Sequence, residues 1–203
     1  MIDLIVKGGI FMYPIILCSI IALAVFIERL WALRRKQVIP PEFINQIEEK
    51  VKKGKISEAV FLCQNDGSSI AKVFLAGLKS LGKGMWLVKE AIEDRGGREG
   101  LILEKYLGLL YTIANLSTLL GLLGTVSGMM KIFKVISNAG QNPALLAGGI
   151  AEALITTFAG LCVAIPVMAL HRILKDKAES LIFEMEEYSI KLIELIENSN
   201  TRE

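Results

Sequence analysis

Three stretches of this chain are long enough and apolar enough to cross a lipid bilayer, and each must bury or shed its backbone polarity as a helix. The first, Gly8 to Ile27, reads GGIFMYPIILCSIIALAVFI without a charge. The second, Leu107 to Met130, is likewise uncharged, and the third, from about Pro143 to Leu170, holds a single ionisable group, Glu152. About 20 apolar residues at a 1.5 Å rise cover a hydrocarbon core of about 30 Å. Only helices and closed barrels satisfy every backbone group there. Composition alone is less informative: 53% of residues are hydrophobic, 22% are charged and the mean hydropathy is +0.51. The distribution decides, because the charges are gathered between the apolar runs.

The first run is expected to be retained as a span. A cleavable leader carries its cations before the apolar stretch, whereas Arg29, Arg34, Arg35 and Lys36 follow this one. The net charge of +2 and the lack of a Lys/Arg block interleaved with aromatics argue against nucleic acid as a partner. Cys18, Cys63 and Cys162 have no framework spacing, so no disulfide, metal or cofactor is expected. Cations crowd the segment between spans one and two and the segment after span three, while the link SNAGQNPA between spans two and three is uncharged. The positive-inside rule then places the long loop and the C-terminus in the cytoplasm and the N-terminus outside. Lys131 and Lys134 fall on the outer side, where they can snorkel to the interface.

The expected organisation is a first transmembrane helix over 8–30 and a helical cytoplasmic loop over 31–105. A second span over 106–135, an outer link over 136–142, a third span over 143–171 and a C-terminal helix over 172–203 follow. Within the loop, Pro40-Pro41 opens a helix, Gly54 ends it, and Asn65-Asp66-Gly67 marks a turn. The tail repeats apolar residues at Leu174, Ala178, Leu181, Met185, Tyr188, Leu192 and Leu195, a heptad seam. Its partner is either the loop helices of the same chain or the same tail on neighbouring copies, which points to self-association.

Gly121, Gly124, Thr125 and Gly128 form a small-residue patch on span two; Gly148, Glu152, Thr156, Gly160 and Ala164 recur at fourfold spacing on span three. Helices in lipid approach each other at such residues, so Gly121, Gly124, Gly128, Gly148 and Gly160 are read as packing positions. Glu152 is different. A carboxyl group deep in a span costs on the order of 2.5–3.5 kcal/mol, and no Lys, Arg or His lies within the three apolar runs to pair with it. Either it is a neutral acid bonded to hydroxyls such as Thr156, or it lines a water-containing path and takes part in ion transfer. Thr125, Thr156 and Thr157 are its natural polar companions. On a helix, Thr156 lies about 40° from Glu152 and Thr157 about 140° away. No phosphate-binding loop, catalytic triad or metal motif occurs. An intramembrane enzyme would need two convergent groups where one is found, so no enzymatic activity is expected.

Gly121-Leu122-Leu123-Gly124-Thr125-Val126 with Gly128-Met129 resembles the span-two signature of the MotA/TolQ/ExbB proton-channel family. Gly149-Ile150-Ala151-Glu152-Ala153-Leu154-Ile155-Thr156-Thr157, then Gly160-Leu161 and Ala164-Ile165-Pro166, resembles its span-three signature. The Glu28-Arg29 pair after span one looks like the family as well. Three spans with an intramembrane acid are similar to its ExbB/TolQ branch. Thr118 and Gly148 stand where many members have proline, which bears on local helix geometry. The resemblance implies an all-α integral membrane protein of the cell inner membrane that assembles as a ring of five subunits. That ring would surround single-span partners of the ExbD/TolR type, each bringing an intramembrane aspartate, with Glu152, Thr125 and Thr157 facing the aspartate's path. The alternative is a membrane scaffold with no ion-conducting role of its own.

Overall fold

In the computed structural model, residues 8–139 and 143–200 are described, and among them every regular element is an α-helix. The order is α1 (Met12–Ala32), α2 (Arg35–Val38), α3 (Pro41–Lys52), α4 (Ile56–Asn65), α5 (Ser69–Lys79), α6 (Met85–Glu104), α7 (Leu107–Ala139) and α8 (Pro143–Asn200). Three of these helices carry windows long and apolar enough to cross a membrane. The first four residues of the expected link 136–142 continue α7, and 140–142 lie outside the described residues. The third apolar run and the acidic tail form one helix, and Pro166 lies inside α8 without ending it.

The chain divides into two compact units, residues 1–28 with 106–173 and residues 29–105 with 174–203. The first reverses the usual rule of burial. Beside buried Ile15, Leu110 and Ile113, its interior holds many small and polar residues (Ala22, Ala114, Ser117, Ala153, Thr156, Ala164), while Leu23, Leu119, Phe133, Leu154, Phe158 and Ile165 are exposed. A surface dressed in Leu and Phe is what a hydrocarbon solvent requires, and the small residues permit close helix approach.

The second unit follows the rule of a water-soluble domain. α3 starts at Pro41, whose missing N–H is one that a first-turn residue leaves unbonded in any case. After α4, the Asp66 carboxylate accepts from the Ser68 amide at 2.8 Å, and the Ser68 hydroxyl caps α5 by accepting from the Ala71 amide at 3.3 Å. The core gathers Leu33, Ile39, Ile47, Ala59, Ile70, Phe74 and Val88, with Phe43 and Phe74 rings stacked at 6.3 Å. The tail seam closes on these loop helices of its own chain. Ion pairs Arg35–Glu184, Glu48–Lys191 and Lys89–Glu197 flank it.

This packing selects one of the two partners expected for the tail, the loop helices of its own chain, and changes the expected register. The seam is not free to zip against neighbouring copies, because Leu174, Ala178, Leu181, Met185 and Leu192 are buried inside the unit. It also changes register: Ser189 and Ile196 are buried where a strict heptad would place Tyr188 and Leu195. A straight helix of 3.6 residues per turn drifts against a 3.5 repeat, so the buried stripe moves to Ser189 and Ile196 while still passing through Leu192.

Glu99 is fully buried between Arg95 at 2.7 Å and Lys72 at 3.5 Å, both of which reach water at one end. Stranding a buried charge costs about 3–5 kcal/mol, so removing both cations should cost far more than neutralising the acid. The double variant Arg95→Met/Lys72→Met is expected to lose about 3–5 kcal/mol in chemical denaturation, and Glu99→Gln clearly less. Burial pushes the Cys63 thiol up to about 12, with the Asp66 carboxylate adding to the effect. Cys63 is therefore expected to resist maleimide at neutral pH until the unit unfolds, which timed labelling across a denaturant series would check.

Candidate functional site

The hairpin of α7 and α8 is built where glycine meets hydroxyl. A Cβ on Gly124 would lie 2.5 Å from Thr156 Cβ, and one on Gly121 would lie 3.2 Å from the Thr157 Cα and the Thr156 carbonyl oxygen. A Cβ on Gly160 would meet the Ser117 carbonyl at 2.5 Å and Gly121 Cα at 3.0 Å; one on Gly128 would meet Ala153 at 2.8 Å. Backbones this close exclude any larger residue. The GxxxG pair Gly124/Gly128 is thus used inside the subunit, between its own second and third apolar helices. Gly148 stands apart from this contact, with nothing within 4 Å of a Cβ there. Its neighbour Gly149 packs instead, against Ile132 at 2.6 Å.

The hydroxyls divide their work. Thr156, 1% exposed, donates to the carbonyls of Glu152 at 3.0 Å and Ala153 at 2.9 Å on its own helix. It shares a face with Glu152, yet these bonds go to main-chain oxygens and not to the carboxylate. Thr157 crosses the interface, donating to the Gly121 carbonyl at 3.0 Å. Thr125 donates to the Leu122 carbonyl at 2.6 Å on its own helix. Ser117 Oγ is buried without a hydrogen-bond partner among the described residues.

Glu152 sits at the rim of this seam with its side chain 22% exposed, and its Oε1 accepts from Lys131 Nζ at 2.5 Å. This overturns the expectation that no cation was available. Lys131 is the first residue after the uncharged run, and α7 continues past it to Ala139. The antiparallel register set by the Gly124–Thr156 and Gly128–Ala153 contacts carries on to bring Lys131 opposite Glu152. Gly9 was also missed. Its φ of +70° suits glycine, and a Cβ there would collide with the Glu152 carboxylate.

The site therefore brings Glu152, Lys131 and Gly9 together at one place and seats Thr156 and Thr157 beneath the glycines of α7. Chemically it offers a carboxylate set between an ammonium group and a partly open face.

Residues 65–187 match the family described as the MotA/TolQ/ExbB proton channel family. The "biopolymer transport protein ExbB-like 1" of Synechocystis sp. is 33% identical over 183 residues, covering 86% of this chain and 70% of the relative. Biopolymer transport protein exbB1 of Vibrio cholerae is 29% identical over 88% of this chain and 80% of its own. The Tol-Pal system protein TolQ of Haemophilus influenzae is 47% identical over 78 residues, covering 37% of this chain and 34% of its own.

Overpacking a tight contact costs about 1–3 kcal/mol. Gly124→Leu is therefore expected to lower the melting temperature of the detergent-solubilised protein by several degrees, while Gly148→Leu leaves it unchanged. Thr157→Val should fall between them, at about 0.6 kcal/mol for one interhelical hydrogen bond.

Proposed function

The chain belongs to the MotA/TolQ/ExbB proton channel family, and we propose that it is the multi-span ring subunit of a proton-motive-force-driven motor in the cell inner membrane. In this reading five copies surround single-span partners of the ExbD/TolR kind, whose intramembrane aspartate carries the proton. The loop and tail unit lies in the cytoplasm and the N-terminus outside. One observation carries the proposal: an acid at Glu152, inside an apolar helix, backed by a glycine–threonine seam and left partly open on one side.

Each proton crossing releases about 2.3 kcal/mol per 100 mV, and that energy needs a charge that changes hands. Glu152 supplies the acceptor on the ring. Lys131 holds the carboxylate in place when no proton is on it, and Thr157 fixes the helix that bears it by gripping Gly121. Thr125 and Thr156 add hydroxyl dipoles to the same layer. Motion of the partner then transmits work across the envelope.

A scaffold reading draws on the Lys131 pair, which satisfies Glu152 without any proton traffic. The two readings part on one substitution. Glu152→Gln, co-expressed with the single-span protein of its own system, is expected to keep wild-type assembly by native mass and to abolish ion-driven activity in intact cells. Full activity in an assembled Glu152→Gln complex would favour the scaffold. For the topology, Lys53→Cys should react with a membrane-impermeant maleimide in inside-out vesicles and stay unlabelled in spheroplasts.

A further inference from the structure

We propose that the second unit holds the phosphodiester headgroup of an anionic membrane lipid, in a cavity beside the points where the chain leaves its first apolar run and approaches its second. Such a site is independent of ion transfer and of the ring. It requires only that these two runs cross a bilayer.

The cavity encloses about 490 Å³, within the range of about 300–1,000 Å³ that small-molecule sites occupy. Two of its walls fix its depth. Arg29 and Ala32 belong to the end of α1, two and five residues past the close of the first apolar run at Ile27. Ile102 and Leu103 belong to the end of α6, five and four residues before the second run opens at Leu107. α1 is one helix through Ala32, so at 1.5 Å per residue Arg29 lies about 3 Å past Ile27 along its axis. Trp31 is 61% exposed and Tyr106 45%, and amphipathic rings of this kind sit at headgroup level. The cavity therefore opens at the depth of lipid phosphates.

Its charge selects the ligand. Four cations follow the first run, and three are engaged within the unit. Arg29 is buried and donates to the Ile102 carbonyl at 3.2 Å, the Arg34 guanidinium lies 5.1 Å over the Trp31 ring, and Arg35 pairs with Glu184. The Lys36 ammonium has no ion-pair or hydrogen-bond partner among the described residues, and it lines the cavity with Arg29. Across from them Ser69 opens α5, and its hydroxyl makes no hydrogen bond among the described residues. Asp66 is the one acid in the wall, with its Oδ1 accepting from the Ser68 amide at 2.8 Å.

Two cations, Arg29 and Lys36, against the single carboxylate of Asp66 leave one positive charge over. A phosphodiester carries one negative charge and matches it. A free phosphate or a phosphomonoester, at about −1.5 to −2, would leave the site negative. The rest of the lining is apolar, with Ala32, Val38, Pro40, Ile102 and Leu103. That suits the glycerol backbone and first acyl carbons of a lipid, and a fully hydrated anion gains nothing from it. Cations beside a span are also where anionic lipids are drawn.

The test uses the full-length protein in neutral detergent, loaded with dioleoyl phosphatidylglycerol or dioleoyl phosphatidylcholine and read by native mass spectrometry. Phosphatidylcholine has the same phosphodiester with a compensating cation, so phosphatidylglycerol is expected to be retained more strongly per subunit. Lys36→Glu is expected to cut its retention about tenfold, the worth of one charge-assisted hydrogen bond. Lys83→Glu makes the same charge change beyond the far end of α5 and is expected to leave retention unchanged. Ser69→Glu puts an acid in the first turn of α5, where it favours the helix. It is expected to abolish retention while the melting temperature holds, which separates loss of the site from loss of the fold. Equal retention of the two lipids, or retention that survives Lys36→Glu or Ser69→Glu, overturns the site. Displacement of bound phosphatidylglycerol by inorganic phosphate overturns the lipid as its occupant in favour of a free anion.

Discussion

Everything in the first unit depends on the distance between α7 and α8, and that distance is set by residues that are hardly there. Gly121, Gly124 and Gly160 bring backbone to within van der Waals reach of backbone or of a threonine side chain. In lipid no hydrophobic gain accrues from pressing leucines together, so contact must come from fit and from hydrogen bonds made where water is absent. Thr157 adds such a bond to Gly121 across the seam. Once the helices are fixed in this register, Lys131 stands across from Glu152 without further design. The carboxylate's environment is a by-product of how closely two helices can lie.

The two units solve the burial problem in opposite ways because they answer to different solvents. The first admits small and polar residues to its interior and turns many leucines and phenylalanines outward. The second hides isoleucine, valine and phenylalanine and shows lysine and glutamate. Even their buried acids differ. Glu99 is fully enclosed between two cations that reach water, a structural arrangement that holds α5 to α6. Glu152 keeps part of its surface open, with Lys131 beside it.

Much of this was legible in the residues. Length and apolarity gave three helices able to span, the glycine spacing gave the seam, and the lone charge in the third run singled out Glu152. What could not be read was register. Lys131 looked like an interfacial residue because nothing in its own neighbourhood says where a facing helix will put its acid. Gly148 and Gly149 are adjacent and chemically identical, and only the rotation of α8 about its axis decides which one packs. The tail seam was visible through Met185 and again at Leu192, but Ser189 and Ile196 took the places of Tyr188 and Leu195, because a heptad describes a supercoiled pair and α8 packs on several short helices instead. Gly9 gave no periodic signal at all, since its φ of +70° lies outside any regular element.

The second unit is discontinuous in sequence, and this sets the order in which it can be completed. Residues 29–105 leave the ribosome well before 174–203, yet Leu174, Ala178, Leu181, Met185, Leu192 and Ile196 are all part of its buried interior. For the time needed to synthesise two long apolar helices, the loop has its own helices but lacks the wall they close on. Closure of this unit therefore waits for the tail, and a newborn subunit cannot present a finished surface on it before residues 174–203 have been made.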